Sequence, residues 1–210
     1  MEKRTKIAFI VNPISGTKDK RHIIDLIPEY LDDRRFEWSI SMTEYRGHAA
    51  EIADKAVSEG VDVAVAVGGD GTINEVARRL RHTDTALGII PCGSGNGLAR
   101  HLRIPMKPAQ ALQVLSDCHI EQLDYGMIDE EPFFCTCGVG FDAVISDRFA
   151  KAGRRGFISY IKNSVEVGLT YKPDTYEITV DGERRVYKAF LICCANASQY
   201  GNNAYIAPHA

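Results

Sequence analysis

The residues with the most chemical character form one run, Gly68-Gly69-Asp70-Gly71-Thr72-Ile73-Asn74-Glu75, between an apolar strand-like stretch and an amphipathic one. Glycines let a backbone approach a ligand closely and turn its N–H groups toward an anion, and a following helix N-terminus adds its dipole. Thr72 is placed to cap that helix or to donate to a phosphate. A carboxylate in such a cradle repels phosphate unless it holds a cation or takes part in the chemistry. Asp70 is therefore both the candidate catalytic residue and the candidate metal ligand. The structural alternative is a tight turn with a capping aspartate, but three glycines around one acid exceed what a turn needs.

A second glycine-rich turn, Pro91-Cys92-Gly93-Ser94-Gly95-Asn96-Gly97, again runs from strand to helix. Neither turn is a Walker A, because no Gly-Lys-Ser/Thr follows, and neither gives G-x-G-x-x-G, so a Rossmann dinucleotide fold is not supported. A third loop, Asn12-Pro13-Ile14-Ser15-Gly16, stops the first strand, and Thr43 follows the second. In an open α/β sheet the carboxyl ends of the strands are where ligands bind. These loops there would enclose a triphosphate from several sides. Glu75 is expected to pair with a basic residue or to orient Asn74, and His48 and His101 to pack or cap rather than catalyse.

The elements that must hold these loops can be read from hydrophobic period. Residues 6–12, 61–67 and 86–90 are short, near-continuous apolar runs, and 38–42 alternates with period two, so all four read as strands. Helical spacing is found over 20–31, 48–59, 73–80, 96–102 and 108–116. Strands alternating with helices predict an α/β domain with a mainly parallel sheet and helices on both faces. After about residue 120 the rhythm changes: 119–128, 133–145, 175–180 and 185–195 read as strands, and Asp181-Gly182 is a two-residue hairpin signal. One amphipathic helix is expected over 157–169, with Phe157, Ile158, Tyr160, Ile161 and Val165 as core. The expected division is an α/β domain over 1–125 and an incomplete β-rich domain over 126–210.

Composition narrows the function. The chain has 210 residues, 45% of them apolar and 25% charged, which excludes disorder. With 25 Lys and Arg against 28 Asp and Glu, it has no global attraction for polyanions, so nucleic acid is not an expected partner. No apolar run is long enough to span a bilayer, and the reading is a cytoplasmic protein. Six cysteines without zinc spacing read as free buried thiols. Arg148, Lys151, Arg154 and Arg155 form a basic cluster, a solvated face or a contact for phosphate or anionic headgroups.

Taken in order, Asn12-Pro13-x-Ser15-Gly16, Thr43 with His48-Ala49, Gly68-Gly69-Asp70-Gly71-Thr72 with Asn74-Glu75, and Pro91-x-Gly93-Ser94-Gly95-Asn96 resemble the diacylglycerol kinase catalytic domain. Its superfamily includes bacterial diacylglycerol kinases, related bacterial lipid kinases and sphingosine kinases. The similarity runs on through Gly138-Val139-Gly140-Phe141-Asp142-Ala143, Asn196-Ala197-Ser198, Tyr200-Gly201 and Ile206-Ala207-Pro208, so it covers essentially the whole chain. The resemblance implies an ATP- and magnesium-dependent lipid kinase whose nucleotide lies on the loops at 12–16 and 68–75 and on Gly93, Ser94 and Asn96, with Thr43. Asn12, Ser15, Thr43, Thr72, Asn74 and Ser94 would supply donors, and Asp70 would hold Mg²⁺ or help activate the lipid hydroxyl. It further implies a second domain of β-sandwich type, a lipid entering between the domains from a membrane surface, and peripheral association with the inner membrane face. A homodimer is left open.

This chain has Cys135 where family members commonly have an asparagine. The family continues past Ala-Pro-x-Ala into a metal-binding loop and a segment with a carboxylate proposed as general base, so the length reads as truncated and the chain alone as inactive. Two rivals stand beside the lipid kinase. NAD kinases also carry Gly-Gly-Asp-Gly followed by Asn-Glu, and a chain without the later carboxylate would be an inactive nucleotide-binding fragment.

Overall fold

The computed structural model describes residues 3–16, 19–151 and 171–210. Its first seven elements alternate: β1 (Thr5–Val11), α1 (Arg21–Tyr30), β2 (Phe36–Met42), α2 (His48–Ser58), β3 (Val63–Gly68), α3 (Asp70–Leu80) and β4 (Ala86–Pro91). The four strands form one parallel sheet in the order β2-β1-β3-β4. Position in the sheet explains the sequence pattern. Central β3 is buried along its whole length, as an apolar run requires, whereas in edge strand β2 only Phe36 is buried and Ile40 and Met42 of the period-two run are exposed.

Alternate residues of the central strands supply two cores. Ile7, Phe9, Val11, Val63, Val65 and Val67 pack against Ile23 and Ile27 of α1 and against Leu112 of α5 (Pro108–Asp117). Ile10, Ala64 and Ala66 point the other way, onto Ala49 and Ala53 of α2 and Ile73, Val76 and Ala77 of α3. Leu98 and Ala99 of α4 (Gly97–His101) complete that face. Helices therefore cover both faces, as the period predicted.

Asp62 ties the amino end of this sheet together. Its carboxylate accepts the Lys6 backbone N–H at 2.7 Å and the Lys3 ammonium at 3.4 Å. The Lys6 N–H, with Lys3 beside it, holds the Asp62 carboxyl below its ordinary 3.8. A depressed folded-state value stabilises the fold above the ordinary value and is lost as pH falls through the depressed one. In urea titrations, Asp62→Asn is expected to be less stable than wild type at pH 6, and the difference should close as the pH is lowered well below 3.8. A gap that is constant with pH would contradict this.

The second half is antiparallel: β5 (Gly126–Ile128) pairs with β6 (Glu131–Phe133), β8 (Asp174–Val180) with β9 (Glu183–Ala189), and β7 (Thr136–Gly140) with β10 (Leu191–Ala195). Asp181 and Gly182 form the expected hairpin turn, at φ 51° and 84°. Three expectations are corrected. Residues 119–125 lie outside any strand, following the left-handed cap at Cys118 that ends α5. The run 133–145 gives way to α6 (Phe141–Lys151) directly after Gly140, whose φ of 101° breaks the extended chain. The run 185–195 is two strands of different sheets, divided at Phe190, whose ring packs on Phe141 and Tyr171.

Two compact units result, residues 1–135 with 196–210, and residues 136–195. The helix expected over 157–169 lies outside the described residues, as do Arg154, Arg155 and the side chains of Arg148 and Lys151. All six cysteines are free thiols, but none is fully buried and Cys194 is exposed. No helix among the described residues is long and apolar enough to cross a membrane.

Candidate functional site

In a parallel sheet all strands end at one edge, so Asn12, Thr43, Gly68 and Cys92 emerge side by side. The strand order reverses between β1 and β3, where neighbouring connections diverge and leave a crevice. The first loop in chain order, 12–16, meets the second, 68–75, there: the Asn12 amide donates to Thr72 Oγ1 at 2.9 Å. The Asn12 side chain also accepts the Ile14 N–H at 3.1 Å, and Ser15 Oγ donates to the Asn12 carbonyl at 3.0 Å. Thr43 continues the ladder through its N–H to the Val11 carbonyl.

The run Asp70-Gly71-Thr72 is not a loop, because α3 begins at Asp70 rather than near 73. Gly69 stays extended as the cap, and an acidic first turn with Arg78 and Arg79 in the last suits the helix dipole. Asp70 consequently projects from the first turn toward the next glycine-rich turn. One oxygen accepts the Asn96 N–H at 2.8 Å and the other the Gly97 N–H at 2.7 Å. The two turns touch through their backbones, since a Cβ on Gly93 would stand 2.6 Å from the Gly69 Cα. Asn96 holds a left-handed backbone at φ 53° because its side chain spans Gly93, accepting its N–H at 2.9 Å and donating to its carbonyl at 2.8 Å.

The expected site residues thus divide by what they touch. Asn12 and Thr72 join two loops, Asn96 braces its own turn and meets Asp70 through its N–H, and Ser15 braces its own loop; Ser15, Thr72 and Asn96 are buried. Pro13, Gly16, Asp70, Gly71 and Ser94 are exposed. Thr43 is buried, and Gly68, Gly69 and Gly93 supply backbone. Ile73 buries its side chain in the core, so only its backbone can face a ligand. Asn74 is half-buried, and among the described residues Glu75 reaches neither a basic residue nor Asn74 but accepts the Gly47 N–H at 3.2 Å, tying α3 to the start of α2. His48 accepts the Glu44 N–H and stacks on Tyr45, while His101 accepts the Ser198 N–H at 3.2 Å, so each ring holds a backbone N–H of a neighbouring loop.

Several contributors escaped the sequence reading. Lys20 is 3% exposed and donates to the Ser15 carbonyl at 2.6 Å, placing a cation under the first loop. Burial pushes the nearby Cys92 thiol up, partly offset by that ammonium. Ile14 is 66% exposed on the same loop and offers an apolar face. Residues 196–210 return to the first unit: Asn196 and Ala197 donate to the Cys135 carbonyl, and the Cys135 thiol donates to that of Gln199 at 3.2 Å. Nothing in local spacing signals a contact between segments this far apart in the chain.

The first unit is thus of the doubly wound α/β class, with glycine-rich turns gathered at the sheet edge where the strand order reverses. The chain belongs to the diacylglycerol kinase catalytic domain family, whose model matches residues 6–128. A second model, described as YegS C-terminal NAD kinase beta sandwich-like domain, matches residues 135–210. The chain is 32% identical over 173 residues to a diacylglycerol kinase of Mycobacterium tuberculosis (strain CDC 1551 / Oshkosh), covering 77% of this chain and 55% of that protein. It is 31% identical over 179 residues to a Chromohalobacter salexigens protein named as a probable lipid kinase YegS-like, covering 82% of this chain and 57% of that one. A crystal structure titled as a diacylglycerol kinase from Bacillus anthracis str. Sterne superposes with a TM-score of 0.77 at 26% identity, over 98% of this chain and 69% of that chain. The chain spans little more than half the length of the two sequence relatives.

Proposed function

We propose that the full-length protein is an ATP-dependent lipid kinase that transfers the γ-phosphate of ATP to the hydroxyl of diacylglycerol or a related lipid. The observation that carries this is the convergence of three glycine-bearing turns at the β1/β3 reversal, in a chain of this kinase family. Phosphoryl transfer asks little covalent chemistry of a protein and mainly needs the phosphates held in line and their charge compensated. Asn12, Pro13, Ser15, Gly16, Thr43, the run 68–75, Gly93, Ser94 and Asn96 form the nucleotide side of the site in this reading. The bonded members set the positions of the loops, and the exposed backbone and Ser94 face the phosphates.

The donor set fits a magnesium ion carried in on the nucleotide rather than a resident one. Each Asp70 oxygen spends one acceptor site on a backbone N–H, and a carboxylate has about four such sites. Among the described residues no group of three or more His, Cys, Asp or Glu could hold a metal alone. Mg²⁺ commonly binds through one or two carboxylates plus phosphates and water. Asp70 is the residue that would hold it, directly or through water, and the ion would supply charge neutralisation at the transferring phosphoryl group. The working division places the nucleotide side in 1–125 and the acceptor side in 126–210. The acceptor is taken from a membrane surface, so the protein acts peripherally at its cytoplasmic face.

Incubating the full-length protein with γ-labelled ATP and Mg²⁺, and offering either diacylglycerol in mixed micelles or NAD, tests the reading. Label is expected in the lipid. Label in NAD alone, or nucleotide binding without transfer to any lipid acceptor, would overturn it.

A further inference from the structure

Asn202 holds a left-handed backbone at φ 49°, between Gly201 at φ 116° and Asn203 at φ 62°. Any residue with a Cβ is less comfortable there than glycine, and asparagine is tolerated mainly where its amide is used. At Asn202 the amide is used at both ends. Its nitrogen donates to the Ser94 carbonyl, and its oxygen accepts from Arg100 Nη2 at 3.4 Å. The Asn202 N–H donates to the Gly95 carbonyl at 3.3 Å, which also accepts Arg100 Nε at 3.1 Å. An antiparallel bridge between Asn96 and Gly201 closes the contact.

The turn 93–97 is thereby held from two directions. Asp70 takes the N–H groups of Asn96 and Gly97, while Asn202 and Arg100 take the carbonyls of Ser94 and Gly95. The two peptide planes that flank Ser94 carry the Gly93 and Ser94 carbonyls, held by the Asn96 and Asn202 amides, so both planes beside its exposed hydroxyl are fixed. We infer that Asn202 is a positioning residue for nucleotide binding, clasping the Ser94 turn in the orientation that meets the phosphates. This rests on the nucleotide reading above, and the same device operates inside the turn at Asn96, where a left-handed asparagine spans Gly93.

Asn202→Gly separates the clasp from general stability, because glycine relieves the backbone while removing the amide. In the full-length protein this variant is expected to melt at or above the wild-type temperature. The Asn96 and Gly97 amides should exchange with solvent about threefold faster or more, and a non-hydrolysable ATP analogue should bind about fivefold more weakly, as loss of one such hydrogen bond implies. Asn202→Ala, which keeps the Cβ and loses the amide, should show the same loosening and melt below Asn202→Gly. Unchanged exchange over 93–97 would overturn the clasp whether or not nucleotide binds. Locally faster exchange with unchanged analogue affinity would overturn the positioning role. Locally faster exchange in a protein whose wild type binds no nucleotide would leave the clasp standing and sink the nucleotide reading instead.

Discussion

Replacing Asp70 with asparagine is expected to lower lipid phosphorylation by the full-length protein on the order of 100-fold or more, the scale seen when one group serving developing charge is removed. The carboxylate has two duties in the structure and the proposal. It accepts two backbone N–H groups of the neighbouring turn, and it presents the charge that would meet a magnesium ion. Asparagine fails at both. Its NH₂ must face one of those N–H groups, leaving a donor without an acceptor, which costs about 1–3 kcal/mol where water is excluded. The fold should survive, because α3 is anchored by Ile73, Val76 and Ala77 rather than by its first turn. Separate kcat and KM values distinguish the two duties. A rise in KM for ATP with kcat retained would reduce Asp70 to a positioning residue, and near-normal turnover would remove it from the site.

The second large effect belongs to Gly16. Its backbone is left-handed at φ 63°, and a Cβ there would stand 2.1 Å from the Cys92 carbonyl oxygen. Alanine therefore meets two costs at once, about 1–2 kcal/mol for the left-handed conformation and about 1–3 kcal/mol for overpacking. Since domains are stable by only about 5–15 kcal/mol, Gly16→Ala should shift a urea midpoint visibly, by a sum of about 2–5 kcal/mol. The displaced loop carries Ser15, whose carbonyl receives Lys20, so affinity for an ATP analogue should fall about tenfold or more. A variant within about 0.5 kcal/mol of wild type, binding normally, would show that this loop moves freely and is not part of a preformed site.

Much of the α/β half could be read in advance because burial leaves a one-dimensional trace. Strands covered on both faces have no position for a polar residue, so 63–67 is apolar throughout, and helices with one covered face repeat at helical spacing. Boundaries were less legible where local preference and tertiary demand differ. Glycine at 71 argues against a helix, yet α3 starts at Asp70 because an acidic first turn and the Gly69 cap outweigh one unfavourable residue. The run 185–195 keeps one period while its two parts pair with different partners, since pairing across a sheet leaves no local mark.

The amino-acid sequence by itself determined the strand and helix alternation, the family, and the loops gathered at one sheet edge, because each depends on residues close in the chain or on the parallel order that alternation imposes. It also singled out Asp70 as the unusual group in a glycine-rich turn. The tertiary structure alone decided what Asp70 touches, 26 and 27 residues away, that Lys20 lies beneath the first loop, and that Asn202 reaches Ser94 across 108 residues. Those contacts are set by where packed elements bring distant backbone groups together, and a buried donor or acceptor takes whichever partner the packing places within reach.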